Sequence, residues 1–101
     1  MYRVVITGIG VVTPIGIGRQ AFWDNLLAGV NGFSDVASFD TSAYRVHRGA
    51  EVRDFDLSAY DPDSGHARFG RATQFALVAA REALEDAGLD LADVPADRAG
   101  V

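Results

Sequence analysis

Apolar positions change their period several times along the chain, and each change marks an element. Residues 2–12 read YRVVITGIGVV, with Val4, Val5, Ile6, Val11 and Val12 all β-branched or valine-like. Such a run predicts a buried strand. Gly8 and Gly10 interrupt it, as a bulge or a close backbone approach would. Thr13-Pro14 ends it, because proline removes a ladder donor and restricts the residue before it. The period then becomes helical over residues 18–28. Phe22 and Leu26 share a face there, with Trp23 and Leu27 beside them, and Gly29 supplies the cap. Asn31-Gly32 marks a turn.

Residues 33–58 lose periodicity and predict an irregular excursion with a short strand at 49–53. Residues 54–67 are polar and punctuated by Pro62 and Gly65, which predicts a loop with one short helical turn. The strongest pattern follows. Ala72, Phe75, Ala76, Ala79, Ala80, Ala83, Leu84 and Ala87 recur at helical spacing and predict a helix over residues 68–87. Arg71, Gln74, Arg81, Glu82 and Glu85 form its opposite stripe, with Arg81 and Glu85 one turn apart. Gly88-Leu89 is a left-handed stop with an apolar clasp. Residues 98–101 then read as the start of another strand. A domain rarely stops where a core strand begins, so 1–101 is expected to be the N-terminal segment of a longer protein, truncated at that strand.

Composition narrows the function classes. The chain has 101 residues, room for one small domain at most, and 49% of them are hydrophobic. All nine basic residues are arginine, and the formal net charge is −5. That balance argues against a nucleic-acid partner. No apolar run is long enough to span a membrane. The N-terminus lacks the apolar segment and cleavage site of a signal peptide, so a cytoplasmic location is expected. With no cysteine, disulfides and thiolate metal sites are excluded within these residues, and no metal site or cofactor is expected.

The glycine-rich opening invites a nucleotide reading, and its spacing argues against one. A dinucleotide fingerprint needs G-x-G-x-x-G entering a helix. Gly8 and Gly10 fit, but Thr13 occupies the third position and Pro14 follows a β-branched run. A phosphate-binding loop of the other common kind needs a lysine, and the chain has none. On periodicity the opening is a kinked strand followed by a Gly/Pro turn.

The same residues carry a resemblance. RVVITGIGVVTPIG, residues 3–16, resembles the opening strand of the β-ketoacyl synthases, the decarboxylating condensing enzymes of fatty-acid and polyketide synthesis. FWDNLLAGVNGF resembles their first helix and turn, FDTSAY with GAEVRDFD the stretch after it, RATQFALVAAREALEDAGL their long Ala-rich helix, and DRAGV the next strand. The ordered motifs cover essentially the whole chain. The resemblance implies an α/β, thiolase-like fold with layers αβαβα, this chain being the first part of its N-terminal half. It implies a condensing enzyme, homodimeric or paired with a related subunit. Its substrates would be the phosphopantetheine-linked acyl and malonyl groups of acyl carrier protein.

In that chemistry a cysteine thiolate accepts the acyl chain. Two histidines help decarboxylate the extender and stabilise the enolate that attacks the acyl-enzyme. No residue of this chain matches those positions, so the catalytic set is expected elsewhere. His47 and His66 fall in the irregular stretch and the polar loop and are expected to be solvent-exposed. Asp54 and Asp56 read as strand-end and turn residues, and Asp61 and Asp63 as turn residues flanking Pro62.

One partner surface is suggested. Relatives often carry a Lys/Arg-rich segment before the long helix that helps dock the acidic helix of the carrier. Here that segment is DPDSGHARFGR. Arg68 and Arg71 are its carrier-protein-binding candidates, Arg68 the stronger, while Asp61 and Asp63 have the wrong sign and Gly70 stands where many relatives have Asp. Three functions follow: a ketosynthase segment, a non-catalytic chain-length-factor-type subunit, and a disfavoured nucleotide-binding module. A nucleophilic cysteine in the complete protein would separate the first two.

Overall fold

The computed structural model describes residues 1–62 and 65–101. The expectation for Asp63 lies outside the described residues. β1 (Val12–Thr13) and β2 (Gly16–Ile17) form an antiparallel hairpin in which Val12 faces Ile17 and Thr13 faces Gly16. Pro14 and Ile15 make its two-residue turn, so proline sits where no ladder donor is needed. The Thr13 hydroxyl donates to the Gly16 carbonyl at 2.8 Å and tightens it. α1 (Arg19–Leu27) follows directly, as its spacing predicts. Gly29, at φ 69, takes the left-handed position just beyond it.

β3 (Ser34–Asp35) and β4 (Arg48–Gly49) pair antiparallel across a long excursion. The strand expected at 49–53 is therefore shorter and earlier. From Ala50 onward the backbone leaves the ladder, and Glu51 binds the excursion through its side chain instead. Its carboxylate accepts from the N–H groups of Ala37 and Ser38 at 2.9 and 3.1 Å. The Ser38 hydroxyl, these N–H groups and Arg53 hold the Glu51 carboxyl at about 2.

The long helix is α2 (Arg71–Ala87), and it begins three residues later than the pattern suggests. Gly65–Arg68 is a separate 3-10 turn, and Gly70, extended at φ −60 and ψ 154, divides it from α2. A second 3-10 turn, Leu57–Ala59, gives the loop one more than expected. Asp56 caps that turn by accepting from the Ser58 N–H. At the other end of α2, Gly88 is left-handed at φ 65. The Leu89 N–H reaches the Leu84 carbonyl and the Gly88 N–H that of Glu85, which is the expected glycine stop.

The N-terminal strand differs most from expectation. Among the described residues, positions 1–11 have no ladder partner. Val4, Val5 and Ile6 are 94%, 65% and 83% exposed rather than buried. A strand buries both faces only between neighbouring strands and covering helices, and these residues supply one helix and no neighbour. Residues 98–101 likewise form no strand. Arg98 closes the 3-10 turn Ala96–Arg98, and Ala99 is extended without a partner.

The buried centre is small. Leu57 and Val78 are 8% and 7% exposed. Phe55 packs edge-on to Phe75 at 4.8 Å and stacks on Tyr60 at 5.9 Å around them. The Cα radius of gyration is 16.8 Å, against about 13 Å for a closed domain of this length. The alanine face of α2 is split accordingly. Ala79, Ala83 and Ala87 are half-buried against the N-terminal segment, whereas Ala72, Ala76 and Ala80 are exposed. Ala79→Leu and Ala83→Leu in the full-length protein are expected to destabilise it by ~1–3 kcal/mol each through overpacking. Unchanged denaturant midpoints would place those alanines on the wrong side.

Candidate functional site

The opening glycines bring strand and helix backbones together. A Cβ on Gly8 would lie 2.8 Å from the Ala87 Cβ and N, with the Ala83 carbonyl oxygen nearer still. A Cβ on Gly10 would lie 2.8 Å from the Ala79 carbonyl carbon and the Ala83 N. The space a phosphate would need above these glycines is filled by α2. Gly16 does the same for the hairpin, since its Cβ would meet the Phe22 N at 2.6 Å.

Two carboxylates complete this junction. Glu82 accepts from the Val11 N–H at 2.9 Å through one oxygen and from the Arg19 N–H at 2.7 Å through the other. Asp86, one turn on, accepts from the Ile9 N–H at 3.0 Å and pairs with the Arg19 guanidinium. The sequence pattern puts Glu82 on the solvent stripe. The structure corrects this, because the small residues on that side of α2 let the strand come close enough to deliver its N–H groups. Glu82 therefore satisfies one donor of the extended N-terminal segment and one at the start of α1 that no ladder takes. The alternation of Ile9 and Val11 against Glu82 and Asp86, four apart on the helix, is the signal that could have revealed it.

The second place where charged groups converge is the edge before α2. Asp61 Oδ2 lies 2.7 Å from His66 Nδ1, and its other oxygen is 3.5 Å from Arg81 Nη1. Arg81 also donates to the Tyr60 carbonyl at 2.9 Å and meets Glu85 at 3.3 Å, the one-turn pair its spacing suggests. His66 is thus half-buried rather than solvent-exposed, with its ring stacked on Phe69 at 5.6 Å. His47 is exposed, with Nδ1 3.0 Å from the Thr41 hydroxyl.

The two candidate arginines differ in their commitments. Arg71 donates to the Val52 carbonyl at 2.7 Å, and its guanidinium lies over Phe55 and Phe75 at 5.5 and 5.0 Å. Arg68 is exposed at the end of its 3-10 turn, its guanidinium 5.2 Å from the Phe69 ring centre. The Asp61 carboxylate beside them is drawn to His66 and Arg81, with its side chain 26% exposed.

The model of the β-ketoacyl synthase N-terminal domain matches residues 1–101. The chain belongs to that family. It is 46% identical over 99 residues to 3-oxoacyl-[acyl-carrier-protein] synthase 2 of Staphylococcus aureus strain N315, covering 98% of this chain and 24% of the relative. It is 48% identical over 100 residues to the tetracenomycin polyketide synthase ketoacyl synthase alpha subunit of Streptomyces glaucescens, covering 98% and 23%. Among solved structures it superposes on the ishigamide ketosynthase/chain length factor with a TM-score of 0.76 and 37% identity, covering 89% of this chain and 22% of that one. The chain spans about a quarter of the length of these relatives.

The fold is accordingly α/β and thiolase-like. The chain has no cysteine. Among the described residues, no three or more His, Asp or Glu side chains gather as metal ligands, and no helix is long and apolar enough to cross a membrane. The nucleotide-binding alternative has neither the motif nor the space.

Proposed function

We propose that this chain is the N-terminal segment of a cytoplasmic condensing enzyme that elongates acyl groups on acyl carrier protein by decarboxylative Claisen condensation. The observation that carries the reading is the family match across all 101 residues, joined by relatives named as a 3-oxoacyl-[acyl-carrier-protein] synthase and a polyketide ketoacyl synthase subunit. The exposed faces of Val4, Val5, Ile6, Leu26 and Leu27 support a role as one layer of a larger assembly, since so much apolar surface in one small chain calls for cover. In the complete enzyme that cover comes from the rest of the subunit and from a homodimeric or related partner. The nucleophile and the histidines lie outside this segment. A chain-length-factor-type subunit is the second reading, favoured by the name of the superposed structure. A nucleophilic cysteine in the full-length protein decides for the enzyme.

Carrier docking falls to Arg68, with Arg71 secondary because its guanidinium is already held by Val52, Phe55 and Phe75. The inward pairing of Asp61 lessens its repulsion of an acidic partner. Arg68→Glu in the full-length enzyme is expected to raise KM for carrier-borne substrate, most clearly at low salt. An exposed rim charge is worth ~0.5–1 kcal/mol. Turnover of a small thioester mimic, which offers no carrier surface, separates docking from a structural effect. An equal loss on both substrates means a structural role for Arg68, and no loss on either means that docking occurs elsewhere.

A further inference from the structure

The 3-10 turn that carries Arg68 is held by a side chain whose place on the polar stripe of α2 suggests only solvation. Gln74 Nε2 donates to the Ala67 carbonyl at 3.2 Å and to the Phe69 carbonyl at 2.8 Å. These carbonyls flank Arg68 on either side. The Gln74 N–H meanwhile donates to the Gly70 carbonyl at 3.1 Å, so backbone and side chain of one residue bind the carbonyls of Ala67, Phe69 and Gly70. Phe69, on which the Arg68 guanidinium lies, is itself stacked on His66, and its N–H donates to the His66 carbonyl at 2.9 Å.

We propose that Gln74 is a positioning residue for the carrier partner: it clamps the peptide carbonyls on both sides of Arg68 and so presents that guanidinium at a fixed place on the enzyme's edge. The inference rests on the docking reading above. Its physical basis is the cost of ordering a long side chain. A free arginine on a mobile turn loses backbone and rotamer freedom when it binds, and a turn already fixed spares the backbone part. Glycines at 65 and 70 bracket the turn, and neither position has an atom within 4 Å of where a Cβ would stand. Among the described residues no side chain fills the Cβ space at those ends, so the turn depends on the contacts of its other residues, and Gln74 supplies two of its hydrogen bonds.

The test compares Gln74→Met, Arg68→Ala and the double variant in the full-length enzyme, with acyl-carrier substrate and with a small acyl thioester. Methionine keeps the length of the side chain and removes its donors. Gln74→Met is expected to raise KM for the carrier substrate about two- to threefold, within the range of an exposed charge contact, with kcat retained. It should add nothing to Arg68→Ala, because a residue that acts only through another is silent once that other is gone. Hydrogen exchange across residues 65–70 should rise in the same variant. A full additional effect in the double variant overturns the proposal, as does an equal loss with the small thioester. If Arg68→Ala weakens docking and Gln74→Met does not, the clamp alone is refuted. If Arg68→Ala has no effect, the docking reading fails and the clamp's role fails with it.

Discussion

Gly10→Ala in the full-length protein is expected to be among the most damaging single-methyl changes in this segment, at about 2–3 kcal/mol, the upper end of the usual overpacking range. The added carbon would stand 2.8 Å from the Ala79 carbonyl carbon and the Ala83 N, and closer to the Ala79 carbonyl oxygen. These are helix backbone atoms inside the hydrogen-bonded body of α2, so they cannot turn aside as a flexible side chain would. Either the strand lifts off the helix or the helix bends. Lifting the strand also pulls the Val11 and Ile9 N–H groups away from Glu82 and Asp86. Urea unfolding measures the effect as a lower midpoint at an unchanged slope. Gly70→Ala is the matched control. Its added carbon meets nothing within 4 Å, and its φ of −60 suits any residue. A change within about 0.5 kcal/mol is expected there. If the two variants are equally stable, the close approach of strand to helix is not present in the full-length protein.

Glu82→Ala should have a comparable effect by a different route. Both of its oxygens are occupied, one by the Val11 N–H and one by the Arg19 N–H. Removing the carboxylate leaves two backbone donors without their partner where strand, hairpin and α1 meet. An unsatisfied donor costs about 1–3 kcal/mol when buried. The Arg19 end is exposed and water can replace the carboxylate there, so the loss rests mainly on the part-buried Val11 N–H and roughly 1–3 kcal/mol is expected. Glu82→Gln separates the contributions. The amide retains one acceptor oxygen but turns an NH₂ toward the other N–H, so its loss should fall between the parent and Glu82→Ala. Amide exchange at Val11 and Arg19 reports the same event locally. Parent-like protection of both amides in Glu82→Ala would show that the carboxylate does not hold this junction.

Much of the fold was legible because its cause is local. The spacing of Phe22 and Leu26 marks α1, the alanine recurrence marks α2, and Gly88-Leu89 marks its end. Helix hydrogen bonds close within four residues, and a glycine stop needs only its own left-handed backbone. The docking candidates were legible as charges, since Arg68 and Arg71 are the only arginines between Arg53 and Arg81 and the chain has no lysine. Their unequal commitments were not. Val52 and Phe55 reach Arg71 from a loop whose path no period describes.

The sequence by itself determined the helices, their stops, the turn at Pro14 and, through ordered motifs along its whole length, the family. Tertiary structure alone decided what depends on neighbours distant in the chain. The β-branched run at Val4, Val5 and Ile6 specifies an extended backbone, but burial requires strands beside it, and the described residues contain none. Gly8 and Gly10 announce a close approach without saying to what, and only the packing of α2 names Ala79 and Ala83 as the answer. Glu82 and Gln74 share a polar stripe with Arg81 and Glu85, and the pattern treats all four alike. Which of them meets solvent and which meets a backbone N–H or carbonyl is set by where the strand and the 3-10 turn come to rest against the helix, and a periodicity along one element carries no information about another.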